Sequence, residues 1–410
     1  MSARSRLVFL FGPAFVAAIA YVDPGNVAAN LTAGAEYGYL LVWVLVLANL
    51  MAVIVQYLSA KLGLVTGRSL PQLIGERTQR RGRIAFWAQA EVVAAATDVA
   101  EVVGGAIALN ILFGTPLLLG GVIVGLVSLG LLAIQSRASS RAFELTIMAF
   151  LLIITIGFLA GLVVADLEPA AVLGGLVPRF EGARSVLLAA SMLGATVMPH
   201  AIYLHSSLTR DRHGVPGSRP VSTRRLLEAT RADVLISLVI AGGVNIAMLI
   251  LAAASLRGVA GTDTIEGAHA QITAHFGPVV GVLFGVGLLA SGLASTSVGA
   301  YAGSEIMHGL LRVQIPLLLR RAITIIPALA LLAFGADPTN ALVLSQVVLS
   351  LGIPFALVPL LRFTGSPQLM GEHPTARWLM ASAWTATVLI IALNLLLVVL
   401  EIGAVAAPAS

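Results

Sequence analysis

Eleven long apolar runs divide this chain and leave it few folds to choose from. A helix that crosses a bilayer needs about 20 mostly apolar residues. Such segments cover 7–31, 38–62, 84–111, 116–135, 143–165, 184–209, 232–255, 278–307, 321–336, 340–361 and 377–401. They are too long for the strands of a membrane barrel, which alternate over about ten residues. The chain therefore reads as an all-α polytopic membrane protein. Composition closes the other routes: 58% of the 410 residues are hydrophobic and 10% charged, with a mean hydropathy of +0.98. Soluble domains carry about 25% charged residues, so this chain cannot dress a water-facing surface. Soluble enzymes, nucleic-acid binders and disordered scaffolds are excluded. With no cysteine, disulfides, zinc–thiolate sites and thiol catalysis are excluded too.

The charges sit in short loops, so the net charge of +5 speaks to topology rather than to a polyanionic partner. Counted on alternate sides of the spans, all but three of the 24 Lys and Arg fall on one side; the exceptions are Arg179, Arg184 and Arg257. Positive-inside bias puts the rich side in the cytoplasm, with the N-terminus inside and, after an odd number of spans, the C-terminus outside. Arg4 and Arg6 before the first segment resemble a signal peptide. No clear small-residue cleavage site follows, and the segment holds Asp23 and Asn26, so it is expected to be a retained span of a cell-membrane protein. No soluble domain is expected. The longest polar stretch, 210–231, reads as a cytoplasmic loop with Pro216, Gly217 and Pro220. The outer stretch 256–277 carries Asp263, Glu266, His269 and His275; it suggests a thin metal-attracting patch, but a solvated loop is the better reading.

Ionisable and turn-forming residues inside spans are costly and usually functional. Asp23-Pro24-Gly25-Asn26 is a strong turn sequence in the middle of the first segment. A loop between two complete spans does not fit, because the apolar pattern continues only briefly to Leu31. A break at membrane depth is tolerated only where it lines protein or a water-filled cavity. In the sixth segment, Pro199 removes a backbone donor, so carbonyls near Ala195 can lose their helical partners. Spans one and six occupy matching places in two five-helix halves, and interrupted helices at matching positions point to an inverted-repeat transporter with its site at the midplane. Asp23 offers a carboxylate, Asn26 an amide oxygen, Ala195 a carbonyl and Met198 a thioether. Ca²⁺ and Mg²⁺ want oxygen alone, whereas this mixed set suits a divalent first-row metal.

Segment three carries Glu91, Asp98 and Glu101. At about 100° per residue, Asp98 lies about 20° from Glu91 and Glu101 about 60° further round, so all three share one stripe. Three carboxyls on one face suggest a proton pathway or an ion-pair network, with Glu91 near enough to the cytoplasmic end to snorkel instead. His200 and His205 are about 140° apart on a helix and do not form a simple ligand pair. Their titration near neutral pH suits a relay.

These residues resemble the Nramp family of proton-coupled divalent metal transporters, in particular its bacterial manganese transporters. The resemblance runs from Gly12 to about Phe363 and rests on Asp23-Pro24-Gly25-Asn26 and Met198-Pro199-His200 together, with Ala195 and Tyr203-Leu204-His205-Ser206 around them. It implies a leucine-transporter-like five-plus-five inverted repeat in a single membrane domain over 1–410: helices 1–5 within 1–166, helices 6–10 within 184–362, and an extra helix at 377–401. It implies that Asp23, Asn26, Met198 and the Ala195 carbonyl bind Mn²⁺ or Fe²⁺, with Gln346 matching a further metal-binding glutamine. Asp98 and Glu101 match the family's proton-route carboxylates, His200 and His205 its helix-six histidines, and Arg320 and Arg321 the basic partners of that route. Family members lacking the methionine move other ions; this chain has it. No resident cofactor is implied, only Mn²⁺, Fe²⁺ and H⁺ as transported substrates.

A Na⁺-coupled organic-solute symporter on the same fold is the nearest alternative, but it gains little from Met198 beside Asp23. An intramembrane metalloprotease would want a set such as His-Glu-x-x-His, and an ATP-driven pump a G-x-x-x-x-G-K-[ST] loop; neither motif occurs. The expectation is a secondary transporter importing Mn²⁺, and also Fe²⁺, with H⁺.

Overall fold

Proline punctuates this fold at the starts of its helices. The computed structural model describes residues 11–135, 140–165, 167–214, 216, 221–262, 264–313 and 315–406. Arg4, Arg6, Arg137, Arg219, Gly217, Pro220 and Asp263, used in the sequence reading, lie outside them. The described residues form helices α1 (Pro13–Ile19), α2 (Pro24–Tyr37), α3 (Val42–Thr66), α4 (Leu70–Arg77), α5 (Arg80–Phe113) and α6 (Leu117–Gln135). The chain continues through α7 (Ser140–Val164), α8 (Pro169–Gly174), α9 (Gly182–Thr196), α10 (Pro199–His213), α11 (Thr223–Ser255) and α12 (Ile265–Phe276). It closes with α13 (Pro278–Leu311), α14 (Leu317–Thr324), α15 (Ile326–Ala333), α16 (Pro338–Thr364), α17 (Pro367–Met370) and α18 (Arg377–Ala406). Proline opens α1, α2, α8, α10, α13, α16 and α17, where its missing N–H would have lacked a helical partner anyway.

Eight helical stretches among the described residues are long and apolar enough to cross a membrane, Pro24–Thr66 counting as one, and Pro13–Val22 and Leu117–Leu131 are shorter apolar helices. The fold is an all-α, multi-pass membrane architecture. The eleven apolar segments fall on these pieces, two of them with corrections, and one polar stretch is corrected as well. The second half of the first segment does not stop near Leu31 but runs to Tyr37, because Gly34 packs directly on Leu249 and Ala252 of α11. Segment 321–336 is two helices, since Pro327 cannot donate back into α14. Within the polar stretch 210–231, residues 210–213 and 223–231 are helical, with α10 reaching His213 and α11 starting at Thr223.

The stretch 256–277 is also not a solvated loop. Thr264 caps α12 by accepting from the Gly267 backbone N–H (3.1 Å), and Ile265, Ala268 and Ile272 are buried. His269 bonds to the Gly281 carbonyl (3.1 Å), and burial lowers its pKa from the ordinary imidazole value. One contiguous apolar core joins helices from both halves of the chain, from Ala14 to Ile390. α9–α10 lies at its centre: its most apolar stretch is 94% buried, against 33% for those of α7 and α18. The start of α1 is pinned by Asp233 of α11, which accepts from the backbone N–H groups of Gly12 (3.2 Å) and Ala14 (3.1 Å).

Candidate functional site

Two interrupted helices meet at the centre of the molecule, and both breaks follow from the same local rule. A residue before proline is pushed out of the helical region into extended backbone. Asp23, before Pro24, has φ −70° and ψ 167°. Met198, before Pro199, has φ −67° and ψ 121°. Each proline then starts a new helix. Asp23 caps its own, accepting from the Asn26 backbone N–H at 2.8 Å, whereas Met198 provides no side-chain cap.

Breaking a helix orphans carbonyls on the preceding turn. Polar side chains from elsewhere take them over. Asn245 of α11 donates to the Tyr21 carbonyl (2.6 Å), and Ser291 of α13 to the Val22 carbonyl. The Ala195 carbonyl receives Asn26 Nδ2 at 2.7 Å, which ties the second break to the first. Asn245 and Ser291 were not singled out from the sequence. An isolated asparagine within an apolar segment was the signal available for the first of them.

Asp23, Asn26, Met198 and Gln346 are all fully buried. Asn26 Nδ2 also donates to Asp23 Oδ1 (3.0 Å), and Gln346 Nε2 to Asp23 Oδ2 (3.4 Å). α16 reaches this point by close approach. A Cβ at Gly25 would collide with the Gln346 side chain, and one at Gly194 with the Gln346 backbone carbonyl. The structure thus brings Asp23, Asn26, Ala195 and Gln346 together by hydrogen bonds, with Met198 three residues along from Ala195 at the second break. The amide oxygens Asn26 Oδ1 and Gln346 Oε1 are buried and have no hydrogen-bond partner among the described residues. Leaving such acceptors unmade costs about 1–3 kcal/mol each. The amide N–H groups occupy the places around the carboxylate where a cation would sit. Turning the two amides over would present their oxygens toward the Asp23 carboxylate instead. Among the described residues no three His, Asp or Glu gather as a metal cluster.

The carboxylate stripe of α5 faces basic residues of α14. Glu91 pairs with Arg320 at 2.9 Å, and Arg321 pairs with Asp98 and, at 3.3 Å, with Glu101. Arg321 also donates to Thr296 (3.2 Å) and Ser128 (3.4 Å), so it is fully engaged though buried. Side-chain exposure falls along the stripe from 27% at Glu91 to 5% at Asp98 and zero at Glu101, whose Oε1 has no partner among the described residues. One turn further, Gly104 lies directly against Pro24. The stripe therefore leads from the partly wet end of α5 to the first break.

The two histidines go to different places. His200 Nδ1 stands 3.5 Å from Thr97 Oγ1, next to Asp98. His205 Nδ1 bonds to Gln56 Oε1 (2.8 Å), and Gln56 donates to the Tyr21 hydroxyl (2.6 Å), so it belongs to a second polar chain on the α3 side. Gln56 was also not singled out from the sequence.

The sequence profile of the natural resistance-associated macrophage protein-like (Nramp) family matches residues 14–400. The chain is 60% identical over 397 residues to the divalent metal cation transporter MntH of Mycobacterium tuberculosis (strain H37Rv), covering 96% of this chain and 92% of that one. It is 46% identical over 398 residues to the protein of that name in Bacillus subtilis (strain 168), covering 97% and 93%. A crystal structure of the Eremococcus coleocola manganese transporter superposes with a TM-score of 0.88 at 30% identity, covering 100% of this chain and 90% of that one. The nucleobase-cation-symport-1 transporter Mhp1 shares the fold alone, with a TM-score of 0.60 at 15% identity over 95% and 92%.

Proposed function

The chain belongs to the Nramp family, and from that premise we propose that it imports divalent first-row metal ions, Mn²⁺ foremost and Fe²⁺ beside it, together with H⁺. The observation that carries this reading is the pair of unpartnered amide oxygens, Asn26 Oδ1 and Gln346 Oε1, beside the buried Asp23 carboxylate. Asp23 supplies the only formal charge. Asn26, Gln346 and the Ala195 carbonyl supply neutral oxygen, and Met198 supplies sulfur that favours softer ions over Ca²⁺ and Mg²⁺. The ligands are closed off from water here, so release to either side requires the broken helices to move, as in alternating access between two inverted repeats. Protons pass along Glu101, Asp98 and Glu91, with Arg320 and Arg321 holding the carboxylates in place and His200 at the flank. His205 acts through Gln56 rather than on this stripe.

The relatives named above are a divalent metal cation transporter and a manganese transporter, which favours metal over an organic solute as cargo. The loop-charge bias supports a cytoplasmic N-terminus and an external C-terminus. The deciding experiment is Mn²⁺ uptake into proteoliposomes under an imposed pH gradient, with a Na⁺ gradient as the second arm. Uptake driven by the pH gradient alone is expected; uptake that needs Na⁺ would return the Na⁺-coupled reading. For orientation, a C-terminal reporter active only in the cytoplasm should stay silent, and activity would reverse the topology.

A further inference from the structure

Away from the transport site, a pocket of about 390 Å³ opens between α3, α11 and the start of α18. Lys61 and Arg231 supply its basic wall, Tyr57 and Trp378 its aromatic edge, and Val53 and Leu235 its apolar side. Lys61 is buried, yet among the described residues its ammonium donates only to the Pro374 carbonyl (3.0 Å) and the Thr375 hydroxyl (3.1 Å), both neutral. Neither Lys61 nor Arg231 has a carboxylate within ion-pair distance among the described residues. The acids nearest in sequence are committed elsewhere. Glu228 pairs with Arg224 at 3.4 Å, and Asp233 holds the start of α1. A buried cation without an anion is strongly unfavourable, so the pocket is suited to an anion that the described residues do not supply.

The place of the pocket says which anion. α11 has 33 residues, so it is about 50 Å long and overshoots the roughly 30 Å hydrocarbon layer. With the overshoot at its arginine-rich N-terminal end, Arg231, in the third turn, would come to the level of lipid headgroups. Trp378 is 65% exposed and Leu235 50% exposed, which gives the pocket a wall open toward lipid. An aromatic ring at the interface above an apolar flank is how membrane proteins meet acyl chains and headgroups together. We propose that this pocket binds an anionic phospholipid, its phosphate held between Lys61 and Arg231 and an acyl chain lying along Val53 and Leu235.

The test uses full-length protein, delipidated in detergent and titrated with phosphatidylglycerol or phosphatidylcholine, with bound lipid counted by native mass spectrometry. The parent should retain phosphatidylglycerol preferentially, and that preference should fall roughly fivefold for each cation removed. Arg231→Gln is the cleaner variant, because this exposed side chain makes no hydrogen bond to the described residues. Lys61→Gln keeps a donor for Pro374, and the melting temperature of each variant guards against misfolding. Equal retention of both lipids by the parent, or an Arg231→Gln variant with unchanged preference, overturns the proposal. So does displacement of the lipid by millimolar inorganic phosphate, which would assign the pocket to a soluble anion.

Discussion

The two helix breaks share a backbone and differ in chemistry. Both are X-Pro steps with the first residue extended, both stand beside Gln346 on α16, and both start a fresh helix at proline. At the first break X is Asp23, whose carboxylate accepts from Asn26 twice and from Gln346. At the second X is Met198, which caps nothing and leaves the Ala195 carbonyl to Asn26. Proline thus fixes where the helix opens, and the residue before it fixes what the opening offers: charge at one break, polarisable sulfur at the other. A hard divalent ion would be served by the first alone. On the proposed reading, only the combination discriminates.

That division of labour can be broken from the charged side first. Asp23→Asn keeps the size and the cap geometry but removes the one formal anion. Loss of outer-shell partners alone costs about 10–100-fold at metal sites. Mn²⁺ uptake by Asp23→Asn liposomes should therefore drop below that range to background, with folding largely kept. Near-normal uptake by a well-folded variant would remove Asp23 from the site.

The second break should respond differently, in selectivity more than in rate. Met198→Ala frees a position for water, an oxygen ligand, so the shell becomes more acceptable to Ca²⁺ and Mg²⁺. Mn²⁺ transport should fall only a few-fold, and Cd²⁺, which is softer, should lose most. The measurement is Mn²⁺ and Cd²⁺ transport with and without excess Ca²⁺ or Mg²⁺. If the variant excludes both hard ions as well as the parent does, sulfur is not the filter and the two breaks differ in packing alone.

The smallest effect on metal binding should come from outside both breaks. Asp98→Asn or Glu101→Gln should leave Mn²⁺ affinity within a few-fold while blunting proton entry and its pH dependence. Removing one member of a buried ion pair costs about 3–5 kcal/mol, so thermal stability has to be followed in parallel. Equal loss of metal binding and proton flux would make the stripe a structural ion-pair network.

The legible features were the local ones. The Asp-Pro and Met-Pro steps announced both breaks, because proline acts on its immediate neighbours. The shared face of Glu91, Asp98 and Glu101 followed from helical period. Gln346 and the basic residues Arg320 and Arg321 came only from family resemblance; in the structure Gln346 bonds to Asp23, Arg320 pairs with Glu91, and Arg321 pairs with Asp98 and Glu101. Gln56, Asn245 and Ser291 escaped, since a lone polar residue in a span looks the same whether or not a broken turn waits opposite it. The stretch 256–277 was misjudged as a solvated loop because its polar residues outweighed the spacing of Ile265, Ala268 and Ile272, which bury one helical face.

Reading residues alone is enough to establish a membrane protein of many helices, where two of those helices must open, and which donors each opening carries. Those are consequences of run length, proline sterics and side-chain identity, all of which act over a few residues. Packing in three dimensions selects which orphaned carbonyl meets Asn245, which guanidinium meets Asp98, and that Asn26 bridges to Ala195. These partners lie 224, 223 and 169 residues apart in the chain. No local preference spans such distances; burial does, because a polar group taken out of water must find its partner wherever packing brings one.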